Sequence, residues 1–88
     1  MKVLIVEDNA ILAEKISGWL AKEHFTVDVA KNGAEANSFV ETCSYQAIIL
    51  DIGLPDQNGL SLLQNWRSSG KDEAILILTA RSNWTERV

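Results

Sequence analysis

The chain has 88 residues, of which 47% are hydrophobic and 23% charged, and its formal net charge is −4. This length suffices for one small domain and leaves no room for a second. The apolar content is too high for a disordered chain, and the negative net charge argues against a basic surface for binding nucleic acid. The single cysteine, Cys43, excludes an internal disulfide, and a reducing, cytoplasmic compartment is expected.

The first half of the chain alternates between strand-like and helix-like patterns. The apolar run 3–6 predicts a buried strand; it is too short for a signal peptide or a membrane span, so no membrane partner is expected. Residues 25–30 predict a half-exposed edge strand whose Asp28 faces solvent. Helices are predicted after Asn9 and after the turn at Asn32. Their apolar stripes, expected to be buried or half-buried, are Leu12, Ile16, Trp19 and Leu20 in the first and Ala36, Phe39, Val40 and Cys43 in the second.

The second half of the chain continues this alternation. Residues 47–50 and 74–78 are short apolar runs that predict two more buried strands. A third helix follows Gly59 with Leu62, Leu63 and Trp66 on one face, and Ser82 is a candidate helix cap after the last strand. Strands that alternate with helices predict an α/β fold, a doubly wound parallel sheet with right-handed crossovers and helices on both faces. The expected strand order is 2-1-3-4.

Four polar residues stand at the ends of predicted strands. Glu7 and Asp8 follow the first strand, Asp51 closes the third and Thr79 closes the fourth. The carboxyl ends of parallel strands meet at one edge of the sheet, and ligands of open α/β sheets bind at that edge, where the strand order reverses. The first and third strands are expected to be neighbours at this point, so Asp8 and Asp51 should approach each other.

Three carboxylates in one pocket predict a bound cation. Their charges repel at separations of a few ångströms. Without a compensating charge, at least one carboxyl group would stay protonated at pH values above its ordinary pKa. Hard carboxylate oxygens suit Mg²⁺, which binds one or two protein carboxylates, several waters and a phosphate. The metal would neutralise an incoming phosphoryl group and leave one carboxylate free to attack it, forming an aspartyl phosphate.

Three segments resemble, in the same order, the motifs of the response-regulator receiver domains of two-component signalling, whose fold is flavodoxin-like. Residues 3–9, VLIVEDN, are similar to that family's opening strand and acidic pair. Residues 48–59, IILDIGLPDQNG, resemble the strand and loop that carry its phosphoacceptor, and residues 75–81, ILILTAR, resemble its fourth strand with the switch hydroxyl. The match covers the whole chain, and three motifs in the correct order make it highly specific.

The resemblance implies a metal-dependent phosphoacceptor. Asp51 would accept a phosphoryl group from a sensor histidine kinase, with Mg²⁺ as the cofactor. Glu7 and Asp8 are thereby assigned to the metal, Asp8 directly and Glu7 through water, and Asp51 and the backbone carbonyl of Gly53 complete the ligands. Such a domain is a switch rather than an enzyme, and at most it catalyses its own phosphorylation and dephosphorylation.

The resemblance also implies roles around the phosphoryl group. Thr79 would hydrogen-bond a phosphoryl oxygen after transfer, and Ala80 would leave room for that group. Pro55 and Gly59 would shape the loop and start the third helix. The Thr-Ala-Arg sequence at 79–81 indicates the class whose output is a winged-helix DNA-binding domain. Control of transcription and contact with DNA are therefore expected only through an output domain absent from these residues.

The chain is shorter than the domain that it resembles. The family's domain continues through a fourth helix, a fifth strand that ends in a phosphate-pairing lysine, and a fifth helix. Residues 1–88 are therefore expected to form a partial receiver domain, truncated after the fourth strand. Lys71 precedes the fourth strand, at the opposite edge of the sheet, and does not replace that lysine. A fourth strand without a neighbour at the sheet edge presents unpaired backbone N–H and C=O groups that can pair with another chain, so self-association is expected.

Other interpretations of the same residues stay open. A phosphohydrolase that forms an aspartyl intermediate commonly carries a second Asp two residues after the first, where this chain has Gly53. A plain interaction module would keep the fold without being phosphorylated. Glu7 and Asp8 alone would also suit a solvated loop before a helix, and Thr79 a strand-end cap. Asp56 lies in a turn-like context that is typical of loop or capping residues.

Overall fold

The computed structural model describes residues 2–78, which form four β-strands and three α-helices in alternation. In chain order the elements are β1 (Lys2–Val6), α1 (Ala10–Lys22), β2 (Thr26–Ala30), α2 (Gly33–Thr42), β3 (Ala47–Asp51), α3 (Gly59–Ser68) and β4 (Ala74–Leu78). Every predicted strand is present, but β4, predicted to be buried, has Leu76 and Ile77 exposed. The predicted cap at Ser82 lies outside the described residues. Within the described range, every helix is too short or too polar to cross a bilayer.

The strands form one parallel sheet in the order β2-β1-β3-β4, which confirms the predicted α/β fold and its strand order. Val6, at the end of β1, is paired with Ala30 on one side and with Leu50 on the other. The chain runs outward from β1 to β2 and then crosses back to β3 on the opposite side of β1. The order therefore reverses between β1 and β3, which is the point where open α/β sheets bind ligands.

All three helices begin directly after an asparagine that caps them. The side chain of Asn9 accepts a hydrogen bond from the backbone N–H of Leu12 at 3.1 Å, and Asn32 accepts one from Glu35 at 2.8 Å. Asn58 caps α3 in the same way at 2.7 Å. A cap of this kind pairs an N–H group that has no partner within the helix and contributes about 1 kcal/mol. The three caps fix where α1, α2 and α3 start relative to the strand ends that precede them.

The main hydrophobic core lies between one face of the sheet and helices α2 and α3. Trp66 in α3 is buried there, and its indole N–H donates a hydrogen bond to the side chain of Asn37 in α2 at 2.9 Å. Val3 and Ile5 alternate with the core residues of β1 and are also buried, on the face that α1 covers. The core comprises Leu4, Val6, Ala30, Ala36, Val40, Tyr45, Ile48, Leu50, Leu54, Leu62 and Trp66.

Two expectations about single side chains are wrong. Trp19, placed on the apolar stripe of α1, is 63% exposed, and Ala13 is the buried residue of that helix. The other residues of that stripe, Leu12, Ile16 and Leu20, are half-buried as expected. Asp28 does not simply face solvent: it accepts a hydrogen bond from the hydroxyl of Tyr45 at 2.6 Å and lies 3.4 Å from the ammonium group of Lys2.

Candidate metal centre

Three acidic side chains converge at the carboxyl edge of the sheet. Glu7 and Asp8 directly follow β1, and Asp51 is the last residue of the neighbouring strand β3. One carboxylate oxygen from each of the three lies within 4.8 Å of the others. The approach of Asp8 to Asp51 that the strand ends predict is thus present, and Glu7 joins them.

Glu7 is held by backbone hydrogen bonds on both sides. Its own N–H donates to the carbonyl of Ala30 at 2.9 Å, which extends the pairing of β1 with β2 by one residue. Its Oε2 accepts a hydrogen bond from the N–H of Asn9 at 3.0 Å. The side chain is 2% exposed, and its Oε1 is buried without a hydrogen-bond partner among the described residues. Glu7 therefore offers one free oxygen to the site.

Asp51 is fixed in a similar way. The residue is fully buried, and its Oδ1 accepts a hydrogen bond from the N–H of Gly53 at 3.1 Å. Its Oδ2 is buried and has no hydrogen-bond partner in the described part of the chain. Buried carboxylate oxygens are nearly always hydrogen-bonded, because an unpaired one costs free energy. Two such oxygens in one cluster point to a ligand that satisfies both.

The electrostatics of the cluster favour a cation. Burial, which is the largest cause, and the neighbouring Asp51 and Asp8 carboxylates together raise the pKa of the Glu7 carboxyl to about 6. The N–H of Asn9 opposes this change but does not cancel it. Asp8 is exposed and opens the cluster to solvent. Hard oxygen donors, two of them unpartnered, fit Mg²⁺, which prefers carboxylate ligands and keeps water on its open side.

The loop between β3 and α3 directly follows Asp51 and is closed by its own backbone contacts. Gly53 forms a bridge with Asn58 across this loop, and Gly59 donates a hydrogen bond to the carbonyl of Ile52 at 3.1 Å. A Cβ atom at Gly59 would lie 2.6 Å from the carbonyl oxygen of Asp51, so only glycine permits this close approach. Pro55 is exposed at the outside of the loop. The role of the Gly53 carbonyl as a metal ligand stays a prediction.

Two residues with predicted roles, Thr79 and Ala80, lie outside the described residues. β4 ends at Leu78, which is paired with Asp51, so the described part of β4 runs up to the site.

The structure adds one residue to the surroundings of the site. Asp56, expected to be a loop or capping residue, does cap a helix, but that helix is α2 rather than its own neighbour α3. Its two carboxylate oxygens accept hydrogen bonds from the N–H groups of Gly33 at 2.8 Å and Ala34 at 3.1 Å. The sequence showed an aspartate in a turn, which indicated a capping residue. It did not show that the helix capped by this aspartate would be α2.

Comparison with protein families matches residues 3–88 to the response regulator receiver domain. The chain belongs to this family. The receiver domain is similar over its whole length to two bacterial proteins named as transcriptional regulators. It is 41% identical to the virulence transcriptional regulatory protein PhoP of Salmonella typhimurium and 42% identical to the transcriptional regulatory protein PmrA of Pectobacterium parmentieri. The match covers 100% of this chain but 39% and 40% of those regulators, so the chain spans about two fifths of their length.

A solved structure agrees with the fold of this receiver domain. The response regulator protein TrrA from Thermotoga maritima, in complex with Mg²⁺ and BeF, is 32% identical and superimposes with a TM-score of 0.86. The superposition covers 99% of this chain and 76% of the TrrA chain. Receiver domains of response regulators are signalling switches rather than enzymes in the usual sense, and the acidic cluster of this chain has the composition of the family's Mg²⁺ pocket.

Proposed function

We propose that this receiver domain accepts a phosphoryl group on Asp51 from the phosphohistidine of a sensor histidine kinase. The observation that carries the proposal is the fully buried Asp51 carboxylate, which lies beside Glu7 and Asp8 and keeps one oxygen without a hydrogen-bond partner. Burial away from water protects an aspartyl phosphate from hydrolysis. The neighbouring carboxylates can bind a cation that balances the negative charge of the phosphoryl group. Asp51 is therefore the residue that we assign as the nucleophile.

In this proposal Glu7, Asp8, Asp51 and the carbonyl of Gly53 hold the Mg²⁺ ion. Support comes from the two unpartnered oxygens, Glu7 Oε1 and Asp51 Oδ2, and from the similarity to TrrA, which is described in complex with Mg²⁺ and BeF. When bound, Mg²⁺ neutralises charge on the phosphoryl oxygens and on the cluster. The chain contributes the orientation: the N–H group of Asn9 holds one oxygen of Glu7, and the N–H group of Gly53 holds one oxygen of Asp51. The other oxygen of each carboxylate has no hydrogen-bond partner among the described residues.

The chemical step follows from this arrangement. An Asp51 oxygen attacks phosphorus, and the phosphorus–nitrogen bond of the phosphohistidine breaks. The imidazole leaves with the electron pair of that bond and takes up a proton. The chain performs no turnover of an external substrate; at most it accelerates its own phosphorylation and dephosphorylation.

The remaining features of the proposal concern the response to phosphorylation. Thr79 would bind a phosphoryl oxygen, and Ala80 would leave space for the group. Residues 1–88 would act as a partial receiver domain, and the exposed β4 side chains Leu76 and Ile77 would favour self-association. We further propose that the whole protein controls transcription, as the names of PhoP and PmrA support, and that it does so in the cytoplasm through a separate winged-helix DNA-binding domain.

The proposal is tested by locating the phosphoryl group. The chain is incubated with a small-molecule phosphodonor and Mg²⁺, and the modified residue is identified by mass spectrometry of its peptides. We expect one phosphoryl group on Asp51, none in Asp51→Asn and none when the metal is chelated. A label on another side chain would overturn the assignment. No label at all would favour the interaction module, and steady release of phosphate from phosphomonoesters would favour the hydrolase.

A further inference from the structure

The carboxylate of Asp56 joins the loop beside the metal centre to the start of α2. The two hydrogen bonds that it accepts, from Gly33 at 2.8 Å and Ala34 at 3.1 Å, span 23 and 22 positions of the sequence. Both donors are N–H groups of the first turn of α2, where backbone N–H groups lack partners within the helix and the helix dipole favours a negative charge. The contact therefore combines two charge-assisted hydrogen bonds with a favourable dipole.

The neighbouring residue reinforces this contact. A Cβ atom at Gly33 would lie 2.7 Å from side-chain atoms of Gln57, so the loop and the helix approach each other closely at this position. The hydrogen bonds from α2 also hold the pKa of Asp56 below its usual range, with the bond from Gly33 making the largest contribution. Asp56 thus remains charged, and the link persists, throughout the neutral pH range.

The link lies between two segments that each contact a residue of the metal centre. On one side, Glu7 donates its N–H to the carbonyl of Ala30, which ends β2 three residues before Gly33. On the other side, the loop that carries Asp56 also carries Gly53, whose N–H donates to Asp51. Glu7 and Asp51 are already neighbours through the pairing of β1 with β3, whereas Gly53 lies in the β3–α3 loop, which the contact from Asp56 attaches to α2.

Other contacts of the β3–α3 loop hold its two ends and its inner side. The bridge between Gly53 and Asn58 closes the base of the loop, and Leu54 is buried in the main core. The outer part, with the exposed Pro55 and Asp56, extends toward α2. Among the described hydrogen bonds, those to the Asp56 carboxylate are the ones that attach this outer part to another element.

We propose that Asp56 is a positioning residue for the metal centre: by attaching the β3–α3 loop to α2, it holds the carbonyl of Gly53 at the distance from the Glu7, Asp8 and Asp51 carboxylates that a divalent cation requires. The inference rests on the proposed function, since it concerns the same site. Asp56 itself does not touch the metal or the phosphoryl group. Loss of the Asp56 carboxylate would displace the loop and with it Gly53, so its effect on the metal is indirect, like that of other residues outside the ligand set.

The test compares Mg²⁺ affinity among single-residue variants of the chain. Asp56→Ala removes both acceptors, and Asp56→Asn keeps one neutral acceptor and serves if the alanine variant does not fold. Asp72→Asn is the charge-matched control, because Asp72 is exposed and precedes β4 at the opposite edge of the sheet. We expect Asp56→Ala to weaken Mg²⁺ binding on the order of tenfold, the lower end of the effect of outer-shell changes, and Asp56→Asn to lie in between. The control should stay close to the unmodified chain.

A second measurement separates positioning from general stability. Amide hydrogen exchange of the metal-free chain should accelerate at Gly53 and Asn58 in Asp56→Ala, while amides of β1 and β3 keep their protection. Unchanged Mg²⁺ affinity in a folded Asp56 variant, or affinity lost equally in Asp72→Asn, would overturn the inference. Mg²⁺ binding is measured without any phosphodonor, so a failure of Asp51 to become phosphorylated would count against the proposed function alone. Failure of the unmodified chain to bind Mg²⁺ would overturn both.

Discussion

A carboxylate oxygen of Glu7 and one of Asp51 lie within 4.8 Å of each other, and each of these side chains also has one buried oxygen without a hydrogen-bond partner. The pairing of β1 with β3 brings them together, because both residues stand where adjacent parallel strands end. Two buried like charges at this separation repel each other and lose hydration. The site is therefore less stable without a cation than with one, and this difference can be measured.

Removing one of the two charges should stabilise the metal-free chain. Asp51→Asn keeps a carbonyl oxygen for the N–H of Gly53 and replaces the unpartnered oxygen by an N–H donor that faces the acidic cluster. We expect the free energy of unfolding to rise by about 1 kcal/mol near neutral pH, measured by urea denaturation with a chelator present. Asp72→Asn, which removes the same charge elsewhere, should change it by less than about 0.5 kcal/mol. A clear loss of stability in Asp51→Asn would contradict the prediction.

Two glycines should respond oppositely to the same substitution. In Gly59→Ala the new Cβ would lie 2.6 Å from the Asp51 carbonyl oxygen and from the Cα of Ile52, and neither backbone atom has a flexible end that moves away. We expect a loss of roughly 1 to 3 kcal/mol in the free energy of unfolding. In Gly18→Ala, within α1, the Cβ meets nothing within 4 Å, so the chain should gain about 0.5 to 1 kcal/mol. Equal effects at the two positions, measured by thermal or urea unfolding, would refute this explanation.

The hydroxyl of Tyr45 should contribute to stability at the edge of the sheet that lies opposite the metal centre. It donates a hydrogen bond of 2.6 Å to Asp28, and the residue is 5% exposed. Tyr45→Phe keeps the ring in the core and removes this bond to a charged acceptor, which should cost about 1 to 2 kcal/mol in urea denaturation. Mg²⁺ affinity should not change, since Tyr45 precedes β3 and the metal centre follows it. A variant as stable as the unmodified chain would show that water replaces the hydroxyl as the partner of Asp28.

The link from Asp56 to α2 should weaken in acid. Hydrogen bonds from Gly33 and Ala34 lower the pKa of the folded-state carboxyl below its ordinary value of 3.8. A carboxyl whose folded-state pKa is lowered contributes stability that is complete above its unfolded-state pKa and is lost as the pH falls through the folded-state pKa. The difference in unfolding free energy between the unmodified chain and Asp56→Asn should therefore be constant near neutral pH and shrink below about pH 4. A difference that does not vary with pH would contradict the assignment.

The sequence allowed the strands and the acidic cluster to be predicted because each depends on local patterns. The apolar runs end at Glu7 and at Asp51, so the alternation of strand and helix was enough to put these acids at one edge of the sheet. The helix starts were also local, since an asparagine cap acts on N–H groups two or three residues later.

The remaining features depend on packing between distant segments. The partners of Asp56 lie 23 and 22 positions away and become neighbours only when the β3–α3 loop meets the start of α2. The alternation of an edge strand predicts on which face Asp28 lies. It does not predict that Tyr45 lies beside it, because that depends on the path of the segment before β3. Trp19 belongs to a regular apolar stripe, and only the placement of α1 on the sheet determines which residues of that stripe are buried.

The most direct test of the central claim is a Mg²⁺ titration of the chain followed by the backbone amide signals in NMR. A shared site predicts that the signals of Glu7, Asp8, Asp51 and Gly53 shift together with a single dissociation constant. Asp8→Asn should weaken this binding strongly, whereas Asp72→Asn should leave it unchanged. Shifts scattered over the exposed acids of the surface, with the signals of Glu7 and Asp51 unmoved, would contradict the claim that these carboxylates form one cation site.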